Sequence, residues 1–159
     1  MIFRQITAKD DAPLAALIRW NLKQHGLDIP GTVYFDSNLN HLSSFYLAEP
    51  SKRTYFILAD EADQVIGGIG LAEFDPIPGC AELQKLYLAD AAKGSGLGYE
   101  MIRLAEQQAI HLGYLQMYLE THTNLQAAMH IYEKSGYRLI PKPDSVRHGT
   151  MNRFYLKDL

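Results

Sequence analysis

Hydrophobic residues in this chain switch between a period near two and a period near 3.6, and each switch marks an element. Ile2 to Thr7 has the character of a short strand. Asp10 and Asp11 then offer N-caps ahead of Pro13. Leu14, Leu17, Ile18 and Leu22 recur at helical spacing until Gly26 stops the helix. An irregular stretch over 28–37 carries Pro30, Gly31, Tyr34 and Phe35. A second helix is predicted over Asn38 to Ala48, with Leu39, Leu42, Phe45 and Tyr46 on one side. Thr54 to Ala59 and Val65 to Ala72 read as strands, and the polar run Asp60-Glu61-Ala62-Asp63 between them as a hairpin turn.

After a Pro/Gly loop over 75–79, Glu82 to Ala89 reads as a strand that feeds Lys93-Gly94-Ser95-Gly96-Leu97-Gly98. A helix follows from about Gly96 to Leu112, with Met101, Ile102, Ala105, Ala109 and Leu112 as its buried stripe and Gly113 as its stop. Leu115 to Glu120 has the composition of a buried strand. Thr123-Asn124-Leu125-Gln126 has the pattern of a capping box ahead of Leu125, Ala128, Met129 and Tyr132, and Gly136 closes that helix. Tyr137 to Ile140 and Asn152 to Lys157 complete the strands. The order β-α-α-β-β-β-α-β-α-β-β predicts a mixed α/β fold with helices on both faces of one sheet.

With 159 residues the chain fits one domain spanning 1–159. The net charge of −3, without a basic cluster, argues against a nucleic-acid surface. No apolar run approaches the roughly 20 residues of a membrane span, and Met1-Ile2-Phe3-Arg4 does not open like a secretory signal. A single cysteine, Cys80, excludes a disulfide framework within the chain and makes a reducing cytoplasm the default compartment. The histidines show no metal-ligand spacing, so no metal site is expected.

The glycine loop carries the chemistry. Gly94, Gly96 and Gly98 alternate at a strand-to-helix junction, where glycine permits positive φ and lets successive N–H groups face one concavity beside the positive end of a helix. That arrangement suits a pyrophosphate; a tight turn needing glycine for geometry alone is the plainer alternative. A Walker loop requires Gly-Lys-Ser/Thr, which is absent. The dinucleotide fingerprint requires glycine where Tyr99 stands.

At these residues the sequence resembles the GNAT family of N-acetyltransferases. Lys93-Gly94-Ser95-Gly96-Leu97-Gly98 is similar to the family's acetyl-CoA loop, with Lys93 where Arg or Gln is usual. The substitution keeps the positive charge and gives up the planar fork. Glu82 to Leu88 resembles the acetyl-CoA strand. Asn124, Ala128, Tyr132, Gly136 and Tyr137 match the pattern downstream. The resemblance implies a central mixed sheet that splays in the middle, usually at a bulge. It implies acetyl-CoA as co-substrate, with its pyrophosphate on the N–H groups of Gly94, Ser95, Gly96, Leu97, Gly98 and Tyr99. Lys93, Asn124 and Ala127 would lie alongside, and the pantetheine arm would pair with the backbone of Leu86, Tyr87 and Leu88. The implied reaction is acetyl transfer to a primary amine of a small molecule, amino acid or peptide by direct attack on the thioester. A CoA-binding sensor with little or no catalysis is the second reading. A homodimer is one expected assembly, since many relatives pair.

The chemistry asks for a base, an oxyanion donor and a partner for the leaving thiolate. An alkyl amine titrates at about 10.4 and must lose its proton to attack. Glu82 is the candidate base, by resemblance to relatives in which a glutamate acts through water; a solvated strand-end charge is the alternative. The N–H of Leu88 is the candidate oxyanion donor. Tyr132 matches the family's general acid, although on periodicity alone it equally reads as a core tyrosine beside Leu125 and Met129. Full proton transfer from a free tyrosine at about 10 to a thiolate near 8.5 is uphill by roughly 2 kcal/mol, so hydrogen bonding to the sulfur is the main role expected of it. Tyr34 and Phe35 are candidates for an aromatic wall around the acceptor, with Glu120 and His122 beside the same cleft.

Overall fold

The computed structural model describes residues 1–146 and 149–159. Its elements, in chain order, are β1 (Ile2–Gln5), α1 (Asp11–Gln24), α2 (Leu42–Ala48), β2 (Thr54–Ala59), β3 (Val65–Glu73), β4 (Cys80–Leu88), α3 (Leu97–His111), β5 (Gln116–Thr121), α4 (Gln126–Lys134), β6 (Arg138–Ile140) and β7 (Arg153–Asp158). The strands form one mixed sheet in the order β1-β2-β3-β4-β5-β7-β6. The β4–β5 pair is parallel and every other pair is antiparallel. The mixed α/β architecture read from the sequence is therefore the one observed. Among the described residues no helix is long and apolar enough to cross a membrane.

Each face of the sheet is covered by the helices whose apolar stripes fit it. On one face Leu14, Ile18 and Leu22 of α1 and Leu42 and Tyr46 of α2 pack on Tyr55, Ile57 and Ala59 of β2. On the other, Met101, Ile102, Ala105 and Ala109 of α3 and Tyr132 of α4 pack on Leu58, Ile69, Leu71, Leu83, Met117 and Leu119. Burial of these side chains, at about 1.5–3 kcal/mol each for the larger ones, is the main force holding the layers together.

Several local expectations are corrected. Asp11 does not cap the first helix, which it opens. Its carboxylate accepts from the Ser43 N–H at 2.8 Å and the Ser43 hydroxyl at 2.7 Å, so it serves the first turn of α2 from across the fold. The helix expected from Asn38 begins as a 3₁₀ turn over Leu39–His41 and is α-helical only from Leu42. The capping box at Thr123 does not form. Asn152 takes both groups instead: its Oδ1 accepts from the Thr123 N–H at 3.0 Å and its Nδ2 donates to the Thr123 hydroxyl at 3.2 Å.

Two glycines of β3, Gly68 and Gly70, make room for two buried tyrosines, and a third, Gly67, for Leu88. A Cβ on Gly68 would lie 2.4 Å from Tyr55 Cε1. One on Gly70 would lie 2.5 Å from Tyr55 Cδ2 and 2.9 Å from Tyr46 Cζ, and one on Gly67 would lie 2.7 Å from Leu88 Cδ2. Tyr46 and Tyr55 are both fully buried, with ring centroids 5.0 Å apart. Gly68→Ala should therefore destabilise the fold through overpacking, by roughly 1–3 kcal/mol. For a chain of this size that lowers the thermal midpoint by about 2–12 °C, measurable by circular dichroism.

Candidate active site

The sheet opens between its two parallel strands. β4 and β5 pair only where Cys80, Ala81 and Glu82 face Gln116, Met117 and Tyr118. β4 then continues to Leu88 and β5 to Thr121 without further pairing. The bend arises in β4, which places two residues, Lys85 and Leu86, opposite the single residue Ile69 of β3. Such a bulge re-aims a strand and increases its local twist. Lys85 takes a φ of 52°, rare for a residue with a side chain, and its carbonyl accepts from the Tyr55 hydroxyl at 2.8 Å.

Antiparallel pairing alternates the direction of backbone groups. The Ala89 N–H donates to the Ile66 carbonyl at 2.8 Å, toward β3. Leu88, one residue earlier, therefore turns its N–H and C=O away from β3, into the gap that β5 has vacated. That gap is part of a cleft of about 660 Å³, within the usual range for small-molecule sites.

At one end of the cleft lies the glycine loop. Gly94 and Gly96 have φ of 75° and 82°, and a Cβ on either would meet nothing within 4 Å. Their requirement is the left-handed backbone, with open space on the cleft side. Gly98 is different: a Cβ there would sit 3.0 Å from Ile131 Cδ1, so it lets α3 approach α4 closely. The Tyr99 N–H already donates to the Gly96 carbonyl at 3.1 Å. The free cradle is thus narrower than expected and runs over the N–H groups of 94–98, at the positive end of α3. Lys93 beside it pairs with Asp90 at 2.6 Å.

The other end is acidic and largely buried. Glu82 sits at the point where the strands part and is pushed up to about 7, first by burial and then by the Glu120 carboxylate on β5. A hydrogen-bonded series orients it. The Tyr46 hydroxyl donates to Gln84 Oε1 at 2.7 Å, which fixes the amide so that Nε2 donates to Glu82 Oε2 at 3.2 Å. Tyr132 lines the opposite wall from α4, and burial holds its hydroxyl above the ordinary tyrosine range. It is both a core residue and a cleft residue, since its ring packs against Tyr137 and Tyr155.

Glu82, Leu86, Tyr87, Leu88, Lys93, Gly94, Gly96, Gly98, Tyr99, Glu120, Ala127 and Tyr132 all line this one cleft. Other candidates do not. Leu97 points into the core at 8% exposure, and the Ser95 hydroxyl donates back to the Ala92 carbonyl at 2.6 Å. Asn124 donates to the His25 carbonyl at 3.0 Å and so props the end of α1 instead of lining the cleft. His122 Nδ1 accepts from the Asn124 N–H at 3.0 Å, which turns it to its own loop. The aromatic wall is absent: Tyr34 packs on the α1–α2 core and Phe35 is 60% exposed. From that loop Thr32, Val33 and Asp36 face the cleft. Sequence reasoning missed Asp36, Lys85 and Gln84 in the cleft and Tyr46 and Tyr55 behind it. The one available signal was the Gly67-Gly68-Ile69-Gly70 run, too small for a strand interior unless large side chains cover it.

The fold agrees with those of known proteins. Residues 14–137 match the model of the acetyltransferase (GNAT) family. Over 144 residues the chain is 33% identical to an uncharacterized N-acetyltransferase, YjgM, of Escherichia coli, covering 87% of this chain and 83% of that protein. Among solved structures, a GNAT-family acetyltransferase of Staphylococcus aureus superposes with a TM-score of 0.84 at 18% identity, over 99% of this chain and 98% of that one. The PaiA N-acetyltransferase of Thermoplasma acidophilum, crystallised with coenzyme A, gives 0.77 at 20% identity, over 99% and 98%. The family match and the curated relative together establish that this chain belongs to the GNAT family of acetyltransferases.

Proposed function

We propose that this protein binds acetyl-CoA in the cleft between β4 and β5 and transfers the acetyl group to a primary amine by direct attack on the thioester. The observation that carries the reading is the placement of Leu88. Its free N–H and C=O face the gap at the midpoint of a cleft that runs from the glycine loop to Glu82. The N–H groups of 94–98 would receive the pyrophosphate, and Lys93 would exchange its pairing with Asp90 for a phosphate oxygen. The backbone of Leu86 to Leu88 would pair with the pantetheine amides as a strand edge does.

The walls then divide the chemistry. Glu82, at about 7, is ionised in part at neutral pH and basic enough to take the ammonium proton, directly or through one water. The freed lone pair attacks the thioester carbonyl, and the Leu88 N–H stabilises the oxyanion of the tetrahedral intermediate. Collapse breaks the carbon–sulfur bond, and the extra proton on the new amide nitrogen passes to the departing thiolate or to solvent, leaving a neutral amide and CoA. Tyr132, protonated at any physiological pH because burial raises it, donates its hydroxyl hydrogen bond to the departing sulfur.

Excess acetyl-CoA, at about a hundred times its dissociation constant, should stabilise the protein by roughly 2.7 kcal/mol. That raises the melting midpoint by about 5–10 °C, while ATP and NAD leave it in place. An equal shift with ATP, or none with acetyl-CoA, removes the reading. Tyr132→Phe should lower kcat by about 10²-fold in an assay of CoA release with the best acceptor of an amine panel. An unchanged kcat would assign Tyr132 to the core alone.

Glu82 gives two pH signatures. In the parent protein kcat/KM should rise with pH and bend near 7, where the base becomes ionised. In Glu82→Gln the bend should vanish and the rate climb steadily toward the amine's own ionisation. The folded value lies above the ordinary one of 4.5, so the carboxyl favours folding when protonated and that stability is lost as pH rises through about 7. Glu82→Gln should accordingly be more stable than the parent at pH 8, by up to about 3 kcal/mol, with no gain at pH 4. Thermal melts at the two pH values test the sign.

A further inference from the structure

Lys85 is a largely buried cation on the wall of the cleft. The bulge places it next to Gln84 on the α1–α2 side of the sheet, and only 12% of its side chain is exposed. Among the described residues its ammonium meets one carboxylate, Asp36 Oδ2, at 4.0 Å, beyond hydrogen-bond reach. An ammonium carries three donors, and on the cleft wall they are within reach of a ligand. Lys85 lines the same cleft as Glu82, close enough that the Glu82 charge acts on it. Burial holds its pKa below the ordinary lysine value, with Asp36 and Glu82 opposing that fall. Its left-handed backbone, tied by Tyr55 to the carbonyl, fixes where the side chain starts.

The acceptor end of the cleft therefore presents two signs of charge in sequence. Glu82 and Glu120 form an acidic corner that suits an ammonium, and Lys85 beside them offers open donors that suit an anion. We propose that Lys85 binds a carboxylate of the acceptor, so that the acceptor is a small amine carrying an acid group, of the α-amino-acid class. Its ammonium would lie toward Glu82 for deprotonation and its carboxylate on Lys85. Asp36, at the mouth with 43% of its side chain exposed, keeps Lys85 charged until the acceptor arrives. A diamine would instead bring a second cation against Lys85. This inference rests on the acetyl-CoA reading above, because it concerns the second substrate of the same cleft.

The test uses matched acceptors: common α-amino acids, their carboxamides and their decarboxylated amines, each assayed for CoA release at saturating acetyl-CoA. The parent protein should prefer the best free acid over its own amide and amine by at least tenfold in kcat/KM. Lys85→Met should bring that ratio to about one, through KM of the acid, while Lys85→Arg keeps part of it. Equal use of acid and amide, preference for the decarboxylated amine, or turnover of no amino acid at all overturns the proposal. So does a ratio that Lys85→Met leaves intact. If Lys85→Met fails to fold, the acid-to-amide ratio of the parent decides by itself. The melting shift with acetyl-CoA, measured first on each protein, separates the two readings. A shift without acid preference defeats only the acceptor assignment, and no shift defeats both.

Discussion

Everything in this active site depends on β4 and β5 parting after only three paired residues. Breaking a sheet in its middle strands leaves backbone donors and acceptors without partners, which buried structure rarely tolerates. Here the break is held open from both sides. β3 pairs with β4 above and below the bulge, and β7 pairs with β5 over six residues from Gln116 to Thr121. Behind the bulge, Tyr55 fills the space that Gly68 and Gly70 leave and bonds the Lys85 carbonyl. Two large rings over a glycine floor thus convert a local irregularity into a fixed opening. The unpaired groups of Leu88 are thereby reserved for a ligand that can pair with them.

The features legible in the sequence were those whose cause is local. A strand needs alternation, a helix needs a stripe, and a left-handed turn needs glycine, so the element order and the loop at Gly94 and Gly96 were readable from neighbours in the chain. Tyr132 was readable as a position but not as a single role, because one helical face both packs on Tyr155 and borders the cleft. Features created by distant partners were not readable. Asp11 stands where a cap for its own helix belongs, yet its carboxylate is drawn to Ser43, 32 residues on. Asn124 matches a family position, yet its amide is spent on the His25 carbonyl. Phe35 has the chemistry of a wall, and only the path of the loop turns it to solvent. Lys85 carried no signal of its own, since a bulge has no signature in a single sequence.

Burial in the cleft acts on Glu82, Tyr132 and Lys85 in the same sense, against the charged form. Removal of water disfavours the charged form of each group. For Glu82 this raises the carboxyl, and the neighbouring Glu120 pushes the same way, which under the proposed reaction makes it a base for the amine. For Tyr132 it keeps the hydroxyl protonated, which under the same proposal provides a donor for the thiolate. One largely buried cavity acts on both, and the Glu120 charge adds to its effect on Glu82.

The same burial is adverse for Lys85, whose charged form it weakens. Asp36 and Glu82 offset part of that cost. The position of Lys85 is intelligible if an anion completes the site, because a carboxylate on its free donors repays the desolvation only when bound. The charge that is costly in the free protein becomes the feature that sorts acceptors, and the Glu82 corner beside it decides which end of the acceptor reaches the thioester.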